Sequence, residues 1–179
     1  MRAFTIVELL VVMSIILVLA GLVLATSSYV HNKGARSRAE AEIAAMSSAL
    51  ENYKADNGAY PNDSETDSLD PTQGDPTQYQ NANLWLYEKL SGDTNADRQP
   101  DNNAISYLAF KTNQLSPNDQ TPVKFIKDPF GNSYGYSTIY SADVANNKTP
   151  PRGYNPTFDL WSTAGATTDS GKPGCIKNW

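Results

Sequence analysis

A single carboxylate beside a long apolar run is the first feature that raises a chemical question. From Leu9 to Ala25 the sequence reads LLVVMSIILVLAGLVLA, broken only by Ser14 and Gly21, and Glu8 stands at its start among Phe4, Ile6 and Val7. A charge inside a membrane segment is costly and is usually paired or functional. Near the end of a span the cost falls, because the side chain can reach toward the interface. Two roles follow for Glu8: a residue at the membrane surface, or a partner for a positive group supplied by a neighbouring subunit. Other chemistry-bearing residues are sparse. His31 is the only histidine and Cys175 the only cysteine, so nucleophile–base arrangements have few candidates, an intrachain disulfide is excluded and no zinc spacing exists. Asp128 and Asp159 are available as a carboxylate pair, but each sits in a turn or strand phrase that explains it structurally. Asp93, Asp97 and Asp101 suggest calcium, yet their register departs from the Asp-x-Asp-x-Asp-Gly loop, so a solvated loop is expected there. These observations argue against an enzyme.

The element that positions Glu8 is about as long as a helix needs to cross a bilayer, roughly 17–25 residues, and it shows no polar stripe of the kind a soluble helix carries. A secretory signal peptide is the competing reading. The charged stretch before the block is only Met1-Arg2, and Glu8 interrupts the block early, both against it; the small residues Ala25-Thr26-Ser27 are in its favour. Past the block, Ala39, Ile43, Met46, Leu50 and Tyr53 recur at helical spacing and predict an amphipathic helix packed on the protein's own sheet. Asn32-Lys33-Gly34 is expected to loosen the helix, and Asp56-Asn57-Gly58 with Pro61 to stop it.

The chain has 179 residues and a formal net charge of -5, which argues against a nucleic-acid partner, since phosphate binding wants a basic face. Residues 62–127 read as a variable region: a polar exposed loop to Asn83, a short helix over Leu84–Leu90, then another polar loop from Gly92 to Asn103. Asp128-Pro129-Phe130-Gly131-Asn132 predicts a turn entering a strand at Ser133-Tyr134-Gly135-Tyr136, and Phe158-Asp159-Leu160-Trp161-Ser162 predicts a second strand.

The phrase Ala3-Phe4-Thr5-Ile6-Val7-Glu8-Leu9-Leu10 resembles the processing site of type IV prepilins and type II secretion pseudopilins. Leu50-Glu51-Asn52-Tyr53-Lys54-Ala55-Asp56-Asn57-Gly58-Ala59-Tyr60-Pro61 resembles the end of the long helix in major pseudopilins. The turn at Asp128, the strand at Phe158 and the ending Ile176-Lys177-Asn178-Trp179 are similar to their C-terminal sheet. The resemblance implies an α+β fold in which a long N-terminal helix packs on a small antiparallel sheet. It divides the chain into a leader (1–3), a transmembrane and assembly helix (4–28), its amphipathic continuation (29–61), the variable region (62–127) and a C-terminal sheet and loop (128–179). It further implies cleavage between Ala3 and Phe4 by a prepilin peptidase, N-methylation of Phe4, and a role for Glu8 in meeting the N-terminal amine of an adjacent subunit. The residue before the cut is Ala3, where the family usually has glycine, and the leader is shorter than the family's.

The function so implied is that of a subunit of a periplasmic pseudopilus in type II secretion. The chain would be anchored once in the bacterial inner membrane, with its C-terminal domain in the periplasm. Its partners would be copies of itself, an inner-membrane assembly platform and minor pseudopilins. A type IV pilin of a surface filament is the alternative. Major pseudopilins also bind calcium in the loop after the last strand. The matching loop runs from Ser162 to Gly171 and offers Asp169 and the Thr163 carbonyl as ligands, with fewer carboxylates than calcium prefers.

Overall fold

The computed structural model describes residues 5–71, 74–168 and 174–179, and the side chains of all of these except 24–28. Helix α1 (Ile6–Asn57) opens the chain. After it come a 3₁₀ turn (Pro76–Tyr79), helix α2 (Gln80–Ser91), a second 3₁₀ turn (Thr112–Gln114) and strands β1 (Leu115–Ser116), β2 (Phe125–Ile126) and β3 (Gly135–Ser137). Helix α3 (Ile139–Ala145) and strands β4 (Asp159–Ser162) and β5 (Ile176–Lys177) complete it. β1 and β2 pair antiparallel, and β3-β4-β5 form a second antiparallel sheet with β4 in the centre. The fold class is α+β, as expected. The chain divides into two compact units, Met1–Ala35 and Arg36–Trp179.

In the first unit α1 presents its apolar side chains outward: Ile6 is 81% exposed and Leu17 72%. The helix runs unbroken through Asn32-Lys33-Gly34, against the expected loosening. One glycine costs a helix only about 1 kcal/mol, less than the hydrogen bonds on either side of it supply.

In the second unit the helical spacing does what it predicts. Ala39, Ile43, Met46, Ala49 and Leu50 are buried against Leu86, Leu90, Ile126, Tyr134, Tyr136 and Leu160, while Tyr53 is only half-buried and packs edge-on against Tyr107. The helix ends where Gly58 adopts φ +80 and its N–H returns to the Lys54 carbonyl at 2.8 Å, a left-handed cap that glycine adopts without Cβ strain. Gly135 is required for a different reason. A Cβ there would lie 2.1 Å from the Trp161 indole, because the two residues face each other across β3 and β4.

The region after α1 departs from its sequence reading. α2 begins at Gln80, four residues before the expected start, and the stretch expected as an exposed loop to Asn83 is not one: Thr66 and Tyr79 before the helix and Asn83 within it are fully buried. The 3₁₀ turn that leads into α2 starts with an Asp75 side chain accepting from the Thr77 N–H. Asn83 is tolerated in the interior because both ends of its amide are paired. Its amide donates to the Tyr134 carbonyl at 2.8 Å and its oxygen accepts from the Ile126 N–H, tying α2 to both sheets. The loop 92–103 is likewise not merely solvated. Asp93 is fully buried and accepts from the Tyr87 hydroxyl at 2.6 Å and the N–H groups of Asp97 and Arg98.

The α3 loop is closed by charge. Asp143, with 2% of its side chain exposed, pairs with Lys148 at 2.9 Å and Arg152 at 2.8 Å, and these hydrogen bonds, Arg152's first, hold its carboxyl well below the usual range. A carboxylate depressed on folding contributes stability above the unfolded value of about 3.9 and loses it as pH falls through the folded value.

Two outcomes are expected. Asn83→Ala strands a buried N–H and a buried carbonyl and should cost about 2–3 kcal/mol in urea unfolding followed by tryptophan fluorescence. Asp143→Asn should flatten the loss of thermal stability that the wild-type chain shows on acidification below about pH 4.

Candidate functional site

Two regions hold the residues singled out by sequence: the N-terminal end of α1, and the turn that faces the loop after β4. At the first, Ile6–Val23 is long and apolar enough to cross a membrane as a helix, and none of it is buried within the chain. A helix is suited to that environment because its backbone hydrogen bonds are internal, apart from the first N–H groups.

Thr5 and Glu8 supply partners at this end. The Glu8 carboxylate Oε2 accepts from the Thr5 backbone N–H and from the Thr5 hydroxyl, both at 2.8 Å. The Glu8 N–H in turn donates to Thr5 Oγ1 at 3.2 Å. The arrangement is a reciprocal capping box, placing negative charge at the positive end of the helix macrodipole. Glu8 is therefore exposed and oriented by its own chain. Thr5 escaped the sequence reading, although Thr-x-x-Glu before an apolar run is the signature of such a cap. Ala3 and Phe4 lie outside the described residues.

At the second region the Asp-Pro-Phe-Gly-Asn turn forms as expected. The Asp128 N–H donates to the Asn132 carbonyl at 2.8 Å, and the Gly131 N–H to the Asp128 carbonyl at 3.0 Å. The buried Asp128 carboxylate accepts from the N–H groups of Phe130 and Asn132 with one oxygen and from the Ser162 hydroxyl, at 2.6 Å, with the other. Burial pushes its carboxyl up, opposed first by the Ser162 hydrogen bond. Asn132 then reaches across to Thr163 Oγ1 at 2.9 Å and the Ala166 carbonyl at 3.2 Å. The structure thus brings turn and loop together through Asp128, Asn132, Ser162 and Thr163; of these only Thr163 was expected to act in the loop.

Thr163 is buried, and its carbonyl accepts from the Ala166 N–H at 3.1 Å. Asp169 lies outside the described residues. Among the described residues no group of three or more His, Cys, Asp or Glu side chains is placed to hold a metal ion. The described part of the loop, residues 162–168, is held to the turn by the Asp128 carboxylate on Ser162 and by the Asn132 amide on Thr163 and Ala166. Asp159 is a separate structural carboxylate: it accepts from the N–H groups of Tyr154 and Asn155 at 2.9 and 2.8 Å. Asp128 and Asp159 each have local donors to account for them.

No protein-family model, no curated protein and no solved structure matches the chain.

Asp128→Ala removes the acceptor for Ser162 and for two turn N–H groups. It should destabilise the full chain by about 2–4 kcal/mol, read by thermal unfolding in detergent. Asn132→Asp keeps the turn but loses the amide donor, and should cost less.

Proposed function

We propose that the chain is a membrane-anchored, filament-forming subunit of the type IV pilin and pseudopilin class, and that it builds a periplasmic pseudopilus serving type II secretion. The observation that carries this reading is the exposed apolar span Ile6–Val23 with one carboxylate, Glu8, at its N-terminal end. Such a span needs lipid or other apolar helices around it, and copies of itself satisfy that need once it leaves the bilayer. Cleavage between Ala3 and Phe4 by a prepilin peptidase would leave an ammonium on Phe4, which is then N-methylated. That cation, in an adjacent copy, meets the Glu8 carboxylate, and each charge offsets the other's desolvation.

In this scheme the helix anchors the precursor in the bacterial inner membrane with the folded unit in the periplasm. An inner-membrane assembly platform and minor pseudopilins are the further partners. The single cysteine of the chain favours a pseudopilin over a surface pilin whose terminal loop is closed by an intrachain disulfide.

Two measurements test the scheme. Intact-mass analysis of the membrane-extracted chain should show loss of residues 1–3 and one added methyl group; an unprocessed chain starting at Met1 contradicts it. Glu8→Ala should leave membrane insertion intact and abolish filaments in electron micrographs of the periplasmic fraction released by opening the outer membrane. Filaments at wild-type abundance would remove Glu8 from the assembly step.

A further inference from the structure

The folded unit has a feature that the assembly reading does not use, a groove along one side of α1. It consists of two adjoining hollows, about 220 Å³ and about 350 Å³ in volume, and Arg38, Glu42 and Gln114 line both. The smaller has an apolar floor that includes Ala45 and Met46 of α1 with Leu108, Phe110 and Ile126. The larger is polar, walled by Asn113, Lys127 and the turn at Asp128. Three cations stand along the groove: Lys111 beside the apolar hollow, Lys127 beside the polar one, and Arg38 where the two meet.

The two carboxylates of the groove are already engaged. Glu42 accepts from the Tyr134 hydroxyl at 2.6 Å and lies 3.8 Å from Arg38. Asp128 gives one oxygen to its own turn and the other to Ser162. Lys111 and Lys127 have no ion pair among the described residues, and the Lys127 ammonium rests on the neutral Asn118 amide oxygen. On a chain whose net charge is -5, the groove is a local site of cations without acids of their own, and an anion is the group that complements them.

Shape decides which kind of anion. Ala41, Ala45 and Lys111 are exposed, so the groove is open along its length and does not enclose a small molecule, whose sites bury about 70–90% of it. An acyl chain needs a continuous apolar channel, and here the apolar floor gives way to Asn113 and Gln114. A peptide meets both demands, since an apolar side chain can fill the first hollow while carboxylates on either side of it reach the cations. We propose that the groove docks an acidic segment of another protein. A leucine or phenylalanine side chain seats against Met46 and Phe110, and the flanking carboxylates pair with Lys111, Arg38 and Lys127.

The test places the full chain in phosphatidylcholine nanodiscs and follows the fluorescence anisotropy of a labelled Asp-Glu-Leu-Phe-Glu-Asp peptide. Saturable binding with a Kd of about 10–100 μM is expected. Peptides with lysine in place of the acids, or glycine in place of Leu-Phe, should bind at least about ten-fold more weakly. Lys111→Glu, at an exposed position, should weaken binding about ten-fold. Ala45→Trp fills the apolar hollow from an exposed helix position and should abolish binding, with an unchanged melting curve by circular dichroism showing that the fold is intact. No saturation up to about 1 mM, equal affinity for the lysine peptide, or wild-type binding by either variant overturns the proposal. Displacement by soluble dihexanoyl phosphatidylglycerol at a lower concentration than by unlabelled peptide also overturns it, and makes the groove a lipid site. Self-association that Ala45→Trp removes, in a chain that binds no peptide, overturns it in favour of a second copy. None of these readouts requires a filament, so the outcome is distinct from that of the assembly reading.

Discussion

The constraint on which everything else depends is the removal of Ile6–Val23 from water. Each apolar side chain exposed there is worth about 1.5–3 kcal/mol once buried, and the chain itself buries none of them. Lipid is one solution and a bundle of identical helices is another, and for apolar surface the two are nearly equivalent. A helix can therefore pass from membrane to bundle at small cost in hydrophobic energy. What distinguishes the two environments is charge. Glu8 is tolerated at a membrane boundary, whereas inside a bundle it needs a cation. In the proposed filament this single residue supplies the orientation and register that uniform apolar packing does not.

The folded unit solves a different problem with the same economy of regular structure. Its strands run only from two residues, as in β1, to four in β4, too short for ladder hydrogen bonds alone to order the chain. Order comes instead from polar side chains that close loops from within. Asn83 ties α2 to two sheets, Asp93 closes the loop after α2, Asp128 the turn before β3, Asp143 the segment after α3 and Asp159 the turn into β4. Around them, buried aromatic residues such as Tyr79, Trp161 and Tyr136 fill the volume that longer strands would otherwise line.

Legibility in the sequence followed the range of the interaction. The apolar span, the buried stripe of α1, its stop at Gly58 and the turn at Asp128 are set by neighbours within a few residues, and all were readable. The burial of Thr66, Tyr79 and Asn83 was not, because each is covered by a residue about fifty or more positions away: Thr66 receives the Thr138 hydroxyl, Tyr79 packs on Trp161 and Asn83 holds Tyr134. A polar segment looks like an exposed loop until those partners are known. β4 was found by its alternation, yet all four of its residues are buried; as the central strand it is covered on both faces, and Asp159 and Ser162 are tolerated there because each is hydrogen-bonded. At the N-terminal end Glu8 was legible as an oddity of composition, while Thr5 was hidden by its ordinary type, although its spacing to Glu8 carried the signal.

The most direct test of the account is whether neighbouring copies bring their apolar spans into contact. Ile16→Cys in a Cys175→Ser chain places one thiol in the middle of the span, and mild oxidation of intact cells then reports its neighbours. The account predicts disulfide-linked dimers that form when the chain is assembled and vanish when Glu8→Ala is added. Oxidation that leaves only monomer, or dimers equally abundant with and without Glu8, would contradict it.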